Sequence, residues 1–81
     1  MNNITVEKIH DIHRVTIPIS CFPDQNVALI ITIVGSLTSV NGPVINTNEY
    51  LMFNFDGRIP QSILYDFFQR WGINVEGMKQ I

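Results

Sequence analysis

An α+β fold, with an antiparallel sheet of about four strands and one C-terminal amphipathic helix packed on one face, is what this chain predicts. Three observations carry that expectation. Val15, Ile17 and Ile19 alternate with Thr16, Pro18 and Ser20, and Leu51, Phe53 and Phe55 alternate with Tyr50, Met52 and Asn54, which is the period of a half-buried strand. The run from Val27 to Val34 is apolar on both side-chain parities and broken only by Thr32, as in a strand that needs cover on both faces. Between Pro60 and Gly72, Ile63, Leu64, Phe67, Phe68 and Trp71 fall on an arc of roughly 140° at helical spacing.

Length and composition set the frame. The 81 residues are read as a single domain, 1–81, near the size where one hydrophobic core is marginal and partners often add stability. Apolar residues make up 46% and charged residues 15%, which favours a packed core over disorder. Five basic against seven acidic residues give a formal charge of −2, too small for an electrostatic footprint on nucleic acid or for an acidic mimic of it. The single cysteine, Cys21, excludes an intramolecular disulfide and fits a reducing compartment. Met1 to Lys8 lacks a basic segment followed by an apolar run, so no signal peptide is expected there. The eight apolar-rich residues Val27 to Val34 fall far short of the roughly 20 that span a bilayer as a helix. The expectation is a cytoplasmic protein without membrane association, acting in its own cell or, if viral, in a host cell.

In chain order, Ile4 to Ile9 reads as a short strand, and His10 to His13 as a turn or a bulge inside a longer strand. Pro18 has no amide hydrogen, so the strand around Val15 to Ile19 belongs at an edge or turns Pro18 away from its neighbour. Pro23, Asp24 and Asn26 mark a turn before Val27. Gly35 to Val40 continues the apolar run, and Asn41-Gly42 is the strongest hairpin dipeptide in the chain, although Pro43 limits pairing beyond it. Val44 to Asn48 is a short strand or a loop, Tyr50 to Phe55 a strand, and Asp56-Gly57 a turn. Pro60 suits the first helical position and Gly72 the left-handed position past the helix end. Asp66 and Arg70 are spaced for a weak ion pair, and Ile73 to Val75 reads as a last strand.

Chemistry-bearing clusters are sparse. His10, His13 and Cys21, with Asp11 and Asp24, are the one group with ligand-type or thiolate-type residues, but their spacing matches no compact zinc motif and nothing supplies an oxyanion hole. Turn histidines and an apolar buried cysteine explain them more simply. The five glycines are scattered and form no phosphate-cradling loop. No cofactor, metal or catalytic residue is therefore assigned. A nucleic-acid platform would need aromatics among basic residues, and Tyr50, Phe53 and Phe55 have only Arg58 and Arg70 to serve them.

One helix covers one face of a sheet, so apolar surface is left over on the other unless the sheet curls over itself. That surplus points to a contact surface. The expected function is a small non-catalytic protein-binding regulator or inhibitor, dimerising or docking on a larger protein, with Ile30, Tyr50, Met52 and Tyr65 as anchors. A viral accessory protein acting on a host factor fits these features, and so does a cellular one. The competing readings are a small nucleic-acid-binding module and a metal-binding or thiol enzyme.

Overall fold

The structure is a computed structural model that describes residues 3–22, 28 and 40–81. The described elements run β1 (Thr5–Ile9), β2 (Ile12–Pro18), a 3-10 turn (Ile19–Cys21), β3 (Val40–Asn46), β4 (Tyr50–Asp56), helix α1 (Gln61–Arg70) and β5 (Lys79–Gln80). They form the α+β architecture expected, a five-stranded sheet in the order β3-β4-β2-β1-β5 with the C-terminal helix adding to its core. The sheet is mixed, because β5 runs parallel to β1 while every other pair is antiparallel.

Alternation in β1, β2 and β4 builds the core-facing side. The register places Val6 opposite Val15 and Val15 opposite Phe53, and it places Ile17 opposite Leu51. These side chains are buried together with Ile4, Phe55, and Leu64 and Phe68 of α1 in one cluster. Phe53 and Phe55 meet edge to face at 6.5 Å, an arrangement that suits aromatic quadrupoles. Cys21, Phe22 and Ile73 close the cluster from the connecting segments.

Helix α1 ends as its sequence predicts. Gly72 adopts φ 74°, its N–H donates to the Gln69 carbonyl at 3.1 Å, and the Ile73 N–H donates to the Phe68 carbonyl at 2.9 Å. That is the Schellman pattern, with Ile73 packed into the core beside Phe68 as the accompanying apolar contact. The start is one residue later than expected. Pro60 is the cap, with extended backbone and no side-chain hydrogen bond, and α1 begins at Gln61.

Several expectations are corrected. Of the two placements open to the strand around Pro18, the edge does not hold, since β2 is central between β4 and β1, and the other does, since Pro18 has no neighbour in β1. Pro18 is tolerated there because it is the last residue of the strand and lies two positions beyond Thr16, the last residue that β1 pairs. Asn41-Gly42 makes no hairpin turn. It lies inside β3, where the register with β4 shifts between Asn41 and Ile45, and Gly42 takes φ 79° in that irregularity. The β3–β4 reversal falls instead at Thr47 to Glu49, where the Thr47 hydroxyl accepts from the N–H groups of Glu49 and Tyr50, both at 3.1 Å. Ile73 to Val75 is not a strand. The last strand is Lys79–Gln80, tied to β1 by the Lys79 N–H on the Ile4 carbonyl and the Ile81 N–H on the Val6 carbonyl. The expected strand Val27 to Val34 lies outside the described residues except for Ala28, which is helical and exposed, not extended.

Candidate functional site

Helix α1 carries the feature that the arc of apolar residues did not foretell. All five arc residues were expected against the sheet, yet only Leu64 and Phe68 are buried. Ile63 is 52% and Trp71 38% exposed, and Phe67 is half-buried at the margin of the core. These three sit four residues apart and form one stripe along the helix. Phe67 joins its neighbours on both sides, with ring centroids 6.4 Å from Trp71 and 6.0 Å from Phe68. Asp66 and Arg70 border the stripe, and with Ile63 and Phe67 they line an open depression of about 300 Å³.

The expected pair between Asp66 and Arg70 is not formed. Among the described residues the ion pair joins Arg58 to Asp56, at 2.7 Å, while neither Asp66 nor Arg70 has a side-chain partner. Exposure explains this, since an i,i+4 contact in water gains only about 0.3 to 0.5 kcal/mol against the entropy of two side chains.

The anchors named from the sequence fall on different surfaces. Tyr50 and Met52 are half-buried on the side of β4 opposite Leu51, Phe53 and Phe55. That side is not bare, because Thr16, across from Met52, is 9% exposed and Pro18, across from Tyr50, is fully buried. Tyr65 is 39% exposed on α1, where Gln69 donates to its hydroxyl at 3.5 Å; it lies on the far side of the helix from the stripe. Ile30 lies outside the described residues.

The histidine and cysteine residues take separate places. His10 is exposed at the β1–β2 turn with φ 51°, a backbone that side-chain-bearing residues seldom adopt. His13 is buried on the core side of β2, and its Nε2 lies 3.0 Å from the Ile59 carbonyl. A carbonyl only accepts, so Nε2 carries the proton. Its Nδ1 is buried with no hydrogen-bond partner among the described residues. Cys21 is buried in the 3-10 turn; desolvation pushes its thiol up, and a hydrogen bond with Ser20 opposes that shift. Among the described residues no group of three His, Cys, Asp or Glu is placed to hold a metal ion.

His13 instead belongs to a set of contacts that fixes the connection from β4 to α1. The Gly57 N–H donates to the Asp11 carbonyl at 2.8 Å, Lys8 Nζ donates to the Gly57 carbonyl at 2.7 Å, and His13 holds Ile59. Asp56 closes the turn by accepting from the Arg58 backbone N–H and from its guanidinium. The Arg58 side-chain hydrogen bonds first, then its backbone N–H, hold the Asp56 carboxyl down at about 2. A carboxyl depressed in the folded state stabilises the fold above its unfolded value of about 3.9, and that contribution disappears as pH falls through the folded value. Carbon-detected NMR titration should therefore find Asp56 still ionised at pH 3, and Arg58→Ala should return its midpoint toward the ordinary aspartate range.

Of the residues considered for a nucleic-acid platform, Tyr50 is half-buried and Arg70 exposed. Phe53 and Phe55 are buried, and Arg58 is engaged by Asp56. No helix among the described residues is long and apolar enough to cross a membrane. Comparison with protein-family models, with curated proteins and with solved structures finds no match for this chain.

Proposed function

We propose that this is a small non-catalytic protein-binding regulator that docks through the exposed side of α1. The observation that supports the reading is the stripe Ile63, Phe67 and Trp71, apolar side chains that helix α1 and its C-terminal cap residue Trp71 hold at the surface beside the core residues. Scattered exposed apolar residues need no explanation, but three in one row, two of them aromatic, have the composition of a binding hot spot. Among the described residues, the sheet edges point the same way by being poor templates for strand addition. β5 has two residues, and β3 is broken by its register shift around Gly42 and Pro43. Short or irregular edges resist pairing with another chain, which leaves the helix as the better docking element.

The experiment is affinity capture from the native host with the wild-type protein and with Ile63→Asp, each first shown to be folded by its amide NMR spectrum. A charge at a position 52% exposed leaves the core intact, so partners retained by the wild type are expected to be lost from the variant. Recovery of the same set by both proteins overturns the reading.

A further inference from the structure

We infer that the partner of the α1 stripe is a second copy of this chain, with the two helices packed antiparallel about a two-fold axis near Phe67. The inference rests on the reading of the stripe as a docking surface and names its occupant. Ile63 and Trp71 each lie four residues from Phe67, so the stripe is symmetric about its centre. A two-fold operation therefore sets Phe67 against its own copy and Ile63 against Trp71 of the partner subunit, which is the self-complementarity that an isologous interface requires.

The charges bordering the stripe meet the same condition. At 100° per residue, Asp66 and Arg70 fall on one flank, on the side of Ile63 away from Leu64 and Phe68. An antiparallel two-fold pairing brings each flank against the same flank of the other helix, so Asp66 faces Arg70 of the partner subunit, and the reverse contact forms with it. The axial offset is about two residues of rise, roughly 3 Å, which an arginine side chain spans. Both groups are available for this, since neither has a side-chain partner among the described residues and both border the depression beside Phe67. Opposite charges placed this way set register as well as attraction. A formal charge of −2 per chain adds little repulsion between copies.

A ten-residue helix offers a seam of about 15 Å, at the small end of specific interfaces, so the dimer is concentration-dependent. Sedimentation equilibrium over a dilution series is the test, applied to the wild type, to Arg70→Asp and to the double variant Asp66→Arg with Arg70→Asp. The wild type is expected to move from 9.3 kDa toward twice that mass as concentration rises. Arg70→Asp, which sets like charges face to face, should weaken association by about tenfold or more, and the double variant, which exchanges the two signs, should restore it. A wild type that stays at monomer mass, or a dimer indifferent to Arg70→Asp, overturns the inference. If that monomer still loses its captured partners on Ile63→Asp, the docking reading survives with another occupant. If neither association nor capture responds to any of these substitutions, both fail.

Discussion

Replacing Phe68 by alanine is expected to destabilise the fold by about 3 to 5 kcal/mol, the range for deleting a buried phenyl ring. Phe68 is completely buried, and with Leu64 it is one of two α1 side chains in the core. Losing its ring removes apolar burial and leaves a cavity that the neighbouring strands cannot refill, because β2 and β4 hold each other in a fixed ladder from Ile12–Asp56 to Pro18–Tyr50. The same residue's carbonyl receives the Ile73 N–H at the helix end, so the helix terminus loosens with the core. Set against the roughly 5 to 15 kcal/mol of an ordinary domain, the change brings a chain of this size near its folding midpoint without denaturant. Urea unfolding should show a midpoint shifted far down. Trp71→Ala serves as the contrast, since it removes a larger ring that is 38% exposed, and its smaller shift would separate the core side of α1 from the stripe. Equal losses in the two variants would contradict the burial pattern.

That contrast marks where the sequence was informative and where it was not. The alternation in Val15, Ile17, Leu51, Phe53 and Phe55 revealed β2 and β4 because a period of two assigns each residue to a face without reference to its neighbours. Helix α1 was legible for a similar reason, bounded by Pro60 and by Gly72 in the left-handed conformation. β5 was not. Lys79 and Gln80 are exposed and have no apolar pattern; they join the sheet through main-chain hydrogen bonds to β1 alone, and a backbone contact leaves no trace in side-chain periodicity. Asn41-Gly42 misled in the opposite way. Its local preference for a hairpin is strong, but Pro43 and the pairing of Ile45 and Asn46 with β4 outweigh it, and the glycine serves an irregularity in β3 instead.

The site was half legible. Periodicity identified Ile63, Leu64, Phe67, Phe68 and Trp71 as one face of a helix, and they are one face. It does not say how much of an arc of roughly 140° touches the sheet, since that depends on how the helix is rotated over the strands. The rotation seats Leu64 and Phe68 in the core and turns Ile63 outward, so the exposed apolar row lies on the helix and not on the Tyr50–Met52 side of β4. His13 was misjudged for want of tertiary information. Its partner, the Ile59 carbonyl, is 46 residues away in sequence, so nothing local distinguishes it from the exposed His10.

Gly57→Ala is expected to cost as much as a core deletion, for a reason that lies wholly in the backbone. A Cβ at position 57 would stand 2.5 Å from the Asp11 carbonyl oxygen and 2.6 Å from its carbon, closer than non-bonded atoms tolerate, and neither atom belongs to a side chain that can rotate away. The same oxygen accepts the Gly57 N–H at 2.8 Å, so any relief must break that hydrogen bond or move the β1–β2 turn. Moving the turn strains His10, already at φ 51°, and pulls on Lys8, which donates to the Gly57 carbonyl. Overpacking costs about 1 to 3 kcal/mol, and the lost hydrogen bond, between half-buried Gly57 and exposed Asp11, adds up to about 1 kcal/mol. Since the connection leads directly into α1 through Ile59, which His13 holds, the displacement should also reach the helix. Hydrogen exchange should then show faster amides both in the β1–β2 turn and in the first turn of α1, while β3, on the far side of β4, keeps its protection. Exchange confined to residue 57 would mean that the turn absorbs a methyl group without moving, against the fixed backbone approach seen here.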